Sequence, residues 1–431
     1  MNREKESSVI GQSHFKKTMR FIISELKPKG KIFTPFNAVA AVIIVTAMVL
    51  LAIRFTKGLG SITNLSQEYP WGLWIGFDVI TGVAFAGGAY IVTFMVYILG
   101  QKKYHPIVRV TVLNGFLAYL FYAGALLLDL GKPWNVINPI IGNSFGLSSV
   151  MFLVAWHFLL YMLMEFIEFF PAVTEWLGWK RVRKIAGMMT LVAVILGFTL
   201  SSLHQAGLGA LFLMAKSKLH PLWYSEFIPI LFFVSSIFAG LSMVIFEGGI
   251  SHKVFKDKLS PELRENYDNI VIGLAKICAG TMYVYLFLKI LGVFHGRHLS
   301  LLTTNWGLWY LLEVVGFVLA PCLLFTIGAK KLNMATIRFA AILTLIGIIL
   351  NRLNVSLIAF KWYEPVRYVP SWMEIEVTLA VIMAEVLVFR WVVQRMPVLN
   401  SSPTLGEPKD GKKDMAAKKM EDLVEWKIST M

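Results

Sequence analysis

Ten stretches of about 20 mostly apolar residues, parted by short polar links, constrain this chain before anything else does. They run over roughly 35–55, 71–99, 107–130, 148–170, 185–203, 225–249, 270–292, 307–328, 335–359 and 374–394. In lipid a backbone must satisfy its own hydrogen bonds, so segments of this length read as membrane helices. Composition agrees: 57% of residues are hydrophobic and 16% charged, against about 25% charged in an ordinary soluble domain. The expected fold is an all-α integral membrane protein with ten transmembrane helices. Residues 1–33 form an N-terminal arm, 34–395 the transmembrane domain and 396–431 a polar, Lys-rich tail with a short amphipathic stretch near Leu423 and Trp426.

The formal net charge of +15 lies between the apolar segments, which points to the membrane surface and away from nucleic acid. Basic residues alternate from link to link. Lys102, Lys103, Lys180, Arg181, Arg183, Lys184, Lys253, Lys256, Lys258, Lys330 and Lys331 share a face with the arm and the tail. The opposite face is poor in Lys and Arg and rich in aromatics such as Trp71, Trp134, Trp223, Trp306 and Trp362. By the positive-inside rule the basic face is cytoplasmic, both ends included, and the aromatic face is the periplasmic side of a bacterial inner membrane. No cleavable signal precedes the first span. Trp71 with Phe85-Ala86-Gly87 in span two and Trp223 with Phe238-Ala239-Gly240 in span six form a faint repeat, four spans apart. It fits two parallel four-helix bundles, spans 2–5 and 6–9, flanked by spans 1 and 10.

Ionisable groups inside spans are costly and are functional candidates by default. Asp78 lies near the start of span two, Asp129 ends span three and His204 ends span five. Lys289, Glu313, Arg352 and Glu376 also lie toward the aromatic ends, where structural ion pairing accounts for the first three. Glu247, in Phe246-Glu247-Gly248-Gly249, sits toward the basic end of span six, placed to pass protons; a helix end reaching the interface is the other reading. Tyr119, in the middle of span three, either extends a polar path or fills a core. His157 is the one other intramembrane histidine that could join His204 on a haem, but its position in span four is deeper, so the depths do not match. Cys278 and Cys322 form no Cys-x-x-Cys, and no iron–sulfur or zinc site is expected.

The run Tyr69-Pro70-Trp71-Gly72-Leu73-Trp74-Ile75-Gly76-Phe77-Asp78, with Leu203-His204-Gln205, His220-Pro221-Leu222-Trp223 and Phe246-Glu247-Gly248, resembles the NrfD/polysulfide-reductase membrane-anchor family. Within it, the chain is similar to the HybB-type branch, the quinone-reactive membrane subunits of nickel–iron hydrogenases. The resemblance covers about residues 30–395. It implies a subunit without haem or metal that exchanges electrons between menaquinone or ubiquinone and a periplasmic ferredoxin-like iron–sulfur subunit. A catalytic oxidoreductase subunit such as a nickel–iron hydrogenase, or a multihaem cytochrome c, would complete the complex. By the same resemblance Trp71, Asp78, Asp129 and His204 form the quinone pocket, and Tyr119 and Glu247 the proton route; Trp71 and Trp74 can wall an apolar pocket there. One departure stands out. Where the HybB-like branch has a glutamate early in span four, this chain has Leu153, with His157 one turn further along as a replacement protonatable group. The partner enzyme and any proton translocation therefore stay open. A haem b-containing anchor, and a transporter or channel without redox work, are the rival classes.

Overall fold

The computed structural model describes residues 18–29, 31–138, 146 and 148–399; the amphipathic stretch near Leu423 lies outside them. Among the described residues nine helices are long and apolar enough to cross a membrane. They are α1 (Pro35–Lys57), α2 (Trp74–Tyr97), α3 (Lys102–Asp129), α4 (Val150–Trp176), α5 (Lys180–Leu213), α6 (Ile228–Val254), α7 (Pro261–His295), α8 (Asn305–Lys330) and α9 (Met334–Ile358). The tenth expected span is helical too, as α10 (Trp372–Arg395). It falls outside that group of nine and carries Glu374, Glu376, Glu385, Arg390 and Arg395.

The helix starts follow from local chemistry. Thr34, Ser149, Ser260, Asn333 and Ser371 each accept a hydrogen bond from a backbone N–H of the first turn. Pro35 and Pro261 occupy first-turn positions where no N–H is needed. Ser371 and Glu374 form a complete capping box at the start of α10. Gly58, at φ 95°, ends α1 in a conformation that only glycine adopts freely. Two spans run further than their apolar stretches. α5 continues to Leu213, so His204 is inside the helix and not at its end, and α7 begins at Pro261.

α2 packs on α3 and α5, and α4 joins α3 to α5. α6 packs on α7 and α9, and α8 joins α7 to α9. These pairings close two four-helix groups, which meet where α6 lies against α2 and α5. α10 packs along α1 and also touches α3. α1 buries only the seam of Ala40, Ala47, Leu50 and Arg54 and turns Val39, Val42, Val45 and Met48 outward, as a peripheral membrane helix does. α2 is central: 89% of its most apolar window is buried, against 17% for α1 and for α4.

The repeat has a physical basis at the crossing of α2 and α6. A Cβ on Gly87 would overlap the carbonyl of Ser236, and one on Gly240 would overlap the backbone at Gly87 and Gly88. In lipid, where apolar surface gains little by leaving its solvent, such small-residue contacts let two helix backbones pack directly.

Candidate functional site

α2 opens with a widened π-helical segment, Trp74–Val79, and such segments often re-aim side chains at functional sites. Asp78 lies in it, wholly buried. Its Oδ2 accepts from the Thr378 hydroxyl of α10 at 3.1 Å, while its Oδ1 has no partner. Asp129, at the end of α3, is close enough to act on Asp78 as a like charge. Arg54 of α1 offsets this negative corner: its guanidinium acts on Asp129 and donates to the carbonyls of Leu128, at 2.9 Å, and Leu130. The two tryptophans differ. Trp74 is a buried lock whose Nε1 donates to the Glu374 carbonyl at 3.1 Å. Trp71 is half-buried on the aromatic face, donates to the Ser356 carbonyl at 3.1 Å and packs 4.9 Å from the Phe360 ring.

Asp78 and His204 take different partners and do not pair. His204 is buried inside the α2–α5 group, its Nδ1 3.1 Å from the Val154 carbonyl and its Nε2 without a partner. Its ring packs 5.8 Å from Tyr119 and 5.4 Å from Phe158. Below it stands a column of buried polar groups. The Tyr119 hydroxyl faces Ser201 and Gln205, and its ring meets Tyr161 edge-on at 4.6 Å. Tyr161 donates to Glu165 Oε1 at 2.6 Å, leaving Glu165 Oε2 unpartnered. Glu168 follows one turn on, beside Thr93. The column ends at Glu175, which Arg109 and Arg183 hold at 2.9 and 3.1 Å. Two glycines make room for the carboxyls: a Cβ on Gly115 would overlap Glu165, and one on Gly197 would press on Glu168.

A second polar group lines a cavity of about 350 Å³ between α2, α3, α6 and α10. Most of its wall is apolar, with Phe77, Phe85 and Phe389 among the lining residues. Into it face Glu247, Asn114, Tyr122 and Glu385. Glu247 accepts from the Asn114 amide, and Tyr122 lies beside Glu385. The upper wall reaches Phe77 and Tyr122, the neighbours of Asp78; a narrower cleft sharing Asn114, Glu247 and Ser251 continues to His252 and Leu399. His157, in α4, is half-buried with an unpartnered Nδ1 and lies within electrostatic reach of His204.

Glu313, which also sits in a π-helical segment, is fully occupied. Its Oε1 takes Lys289 at 3.4 Å and Asn351 at 2.7 Å; its Oε2 takes Trp223 at 2.7 Å and Asn354 at 2.6 Å. Arg352 bonds Ser235 at 2.7 Å and Asn351 at 3.1 Å. A buried charge with every lone pair used holds helices together. Glu376 is half-buried, and it is Glu374 that is buried at the start of α10. The Ser371-x-x-Glu374 spacing is the signal that finds it.

The model of the family described as polysulphide reductase, NrfD, matches residues 61–360. The chain belongs to the polysulphide reductase NrfD family. It is a multi-pass membrane protein. A Nitratidesulfovibrio vulgaris protein is 42% identical over 374 residues, covering 86% of this chain and 96% of that relative. An Escherichia coli protein named a probable Ni/Fe-hydrogenase 2 b-type cytochrome subunit is 27% identical, over 86% of this chain and 94% of its own length. The integral membrane subunit of a menaquinone reductase from N. vulgaris is 28% identical, over 79% of this chain and 86% of its own length.

The b-type cytochrome name of the E. coli relative corrects one expectation, that a chain of this kind carries no haem. The expectation leaned on mismatched depths for His157 and His204, yet His157 lies within electrostatic reach of His204. Each keeps a buried ring nitrogen without a partner, and a backbone carbonyl orients His204, as is usual for a histidine that ligates iron. Two imidazoles are the donor type that a haem b takes, while the Tyr119 and Phe158 rings wall His204 at 5.8 and 5.4 Å.

Proposed function

We propose that this NrfD-family chain is the quinone-reactive membrane subunit of a respiratory oxidoreductase complex. It exchanges electrons between menaquinone or ubiquinone and an iron–sulfur subunit, or a multihaem cytochrome c, docked on its aromatic face. A catalytic oxidoreductase subunit, hydrogenase-like by the E. coli relative's name, completes the assembly. The observation that carries this reading is Asp78, buried at membrane depth with one carboxylate oxygen free; its neighbours Phe77 and Tyr122, not Asp78 itself, line the largely apolar cavity of about 350 Å³. An apolar pocket with few convergent polar groups is what a prenylated ring requires.

Oxidising a quinol releases two electrons and two protons, so each ring oxygen needs an acceptor within hydrogen-bond reach. Asp78 Oδ1 and His204 Nε2 are free to accept. Asp129 and Arg54 set the charge beside the first, and Trp71 and Trp74 close the aromatic end. Protons leave or arrive by Tyr119 and His157 on one side and Glu247 on the other. Tyr161, Glu165, Glu168 and Glu385 extend both routes toward the basic face. Asp78→Asn and His204→Ala are expected to lower quinone-linked turnover at least about a hundredfold, the usual worth of a positioned proton acceptor. The partner subunit's activity with artificial dyes should survive. Full quinone turnover in both variants, in an assembled complex, would move the pocket elsewhere.

The b-type name supports a second reading, in which His204 and His157 hold a haem b that supplies one-electron transfer. A reduced-minus-oxidised spectrum of the purified complex, with and without His204→Ala, decides it: a band present in the parent and absent in the variant places the haem there.

A further inference from the structure

The basic-face ends of α6, α7 and α9 meet at a corner that the quinone reading does not use. Tyr267 of α7 is 6% exposed, and its ring stacks on His252 of α6 with centroids 4.5 Å apart and planes at 26°. The Tyr267 hydroxyl, His252 Nδ1 and Arg338 Nε of α9 are all buried and without hydrogen-bond partners. Gly248 and Gly249 let them converge on one turn of α6: a Cβ on Gly248 would lie 3.0 Å from the Tyr267 hydroxyl, and one on Gly249 3.5 Å from Arg338 Nε.

Leaving a buried polar group unpaired costs about 1–3 kcal/mol. Tyr267 and Arg338 face each other without a bond of good geometry, and with His252 Nδ1 they make three under-satisfied groups from three helices at one place, which a ligand would complete. The local charge says which sign. Arg338, Arg264 and Lys256 act on His252, and Asp268 is the one carboxylate that does. The depth says where it comes from. At 1.5 Å per residue, Tyr267 is about 9 Å from the start of α7 and Arg338 about 6 Å from the start of α9. That is the headgroup region and not the hydrocarbon centre.

We propose that this corner binds a phosphate group, carried in the membrane by the headgroup of an anionic phospholipid. Arg338 and Tyr267 donate to the phosphate oxygens, and Arg264 and Lys256 supply the field. Cation-lined pockets between helices on one membrane face are a general way to hold such lipids.

The test uses the whole complex, delipidated in mild detergent and then titrated with phosphatidylglycerol or the phosphate-free diacylglycerol, with binding read by native mass spectrometry. Phosphatidylglycerol should bind about tenfold more tightly, the worth of one or two hydrogen bonds to a charged group. Arg338→Gln and Tyr267→Phe should each reduce that preference and leave diacylglycerol binding unchanged. Tyr267→Phe keeps the ring stacked on His252, so loss of the site is separable from loss of the fold, which a melting curve reads. Inorganic phosphate that stabilises the parent but not Arg338→Gln, without any lipid preference, would keep the phosphate site and overturn its lipid source. Equal binding of both lipids with no phosphate effect, or unchanged preference in both variants, would overturn the proposal.

Discussion

His220 lies in the link between α5 and α6, outside the membrane spans, and is 3% exposed. The Leu222 amide donates to its Nδ1 at 3.2 Å, so the ring is held neutral with its proton on Nε2. Trp223, Trp306 and Trp362 wall it at 5.5, 5.2 and 4.9 Å. Burial, followed by the nearby His298, pushes its pKa down from 6.5 to about 4. A histidine whose folded pKa is depressed is protonated more readily when unfolded. Its contribution to stability is therefore complete above about pH 6.5 and is lost as pH falls toward 4. The melting temperature of the complex should drop across that window, and the drop should be shallower in His220→Gln, which keeps a neutral acceptor. Parallel profiles for parent and variant would show that another group titrates. At this scale the sequence singles out Asp78 and Glu247 because charge inside an apolar run is conspicuous. Glu165, Glu168 and Glu385 carry the same signal. What the sequence does not reveal is which atom lacks a partner: Glu313 is as conspicuous as Asp78, yet both its oxygens are taken and one of Asp78's is not.

Helices are where the sequence is most legible, because a span must be long and apolar whatever its neighbours. Their irregularities are not legible in the same way. The π-helical segments at Trp74–Val79, Leu312–Leu319 and Asn354–Ile358 each widen the helix locally, and at the first the Thr81 hydroxyl reaches back five residues to the Gly76 carbonyl, 2.9 Å, a spacing that the apolar periodicity does not encode. Nor does the apolar pattern mark where α5 ends, since the helix carries on past its apolar stretch to Leu213. The α2–α6 crossing lies between these cases. Its Phe-Ala-Gly repeat is visible in the chain, and its meaning appears only when Gly240 is seen against Gly87 and Gly88. Gly240→Ala puts a methyl into backbone, with no flexible side chain to move aside. It should destabilise the protein by about 3 kcal/mol, the upper range for overpacking, and lower the yield of assembled complex. Gly280→Ala is the control, because a Cβ there meets nothing within 4 Å. Equal loss in both variants would mean that helix association does not depend on this crossing.

For the whole molecule, two observations together fix the number of crossings. Arg395, at the end of α10, donates to the carbonyls of Glu25 and Lys27 at 2.5 and 2.6 Å. The arm before α1 and the end of α10 therefore lie on the same face. A chain that starts and ends on one face crosses an even number of times, so nine apolar spans require a tenth, and α10 is the helix placed to supply it. Its charges do not forbid this: Glu374 is satisfied by the Ser371 and Asn64 amides, and Arg390 donates to Asn37 at 3.0 Å. By the positive-inside rule the alternation of basic links predicts an arm in the cytoplasm and aromatic links in the periplasm, which labelling tests. In intact cells a membrane-impermeant thiol reagent should label Lys132→Cys and Tyr363→Cys, two exposed positions on the aromatic face. Arg20→Cys and Lys256→Cys, also exposed, should react only after permeabilisation. A tag fused after Met431 should behave like Arg20→Cys. A tag that instead tracks Tyr363→Cys would show that α10 lies on the membrane without crossing it, and labelling of Lys132→Cys and Lys256→Cys from the same side would remove the topology altogether.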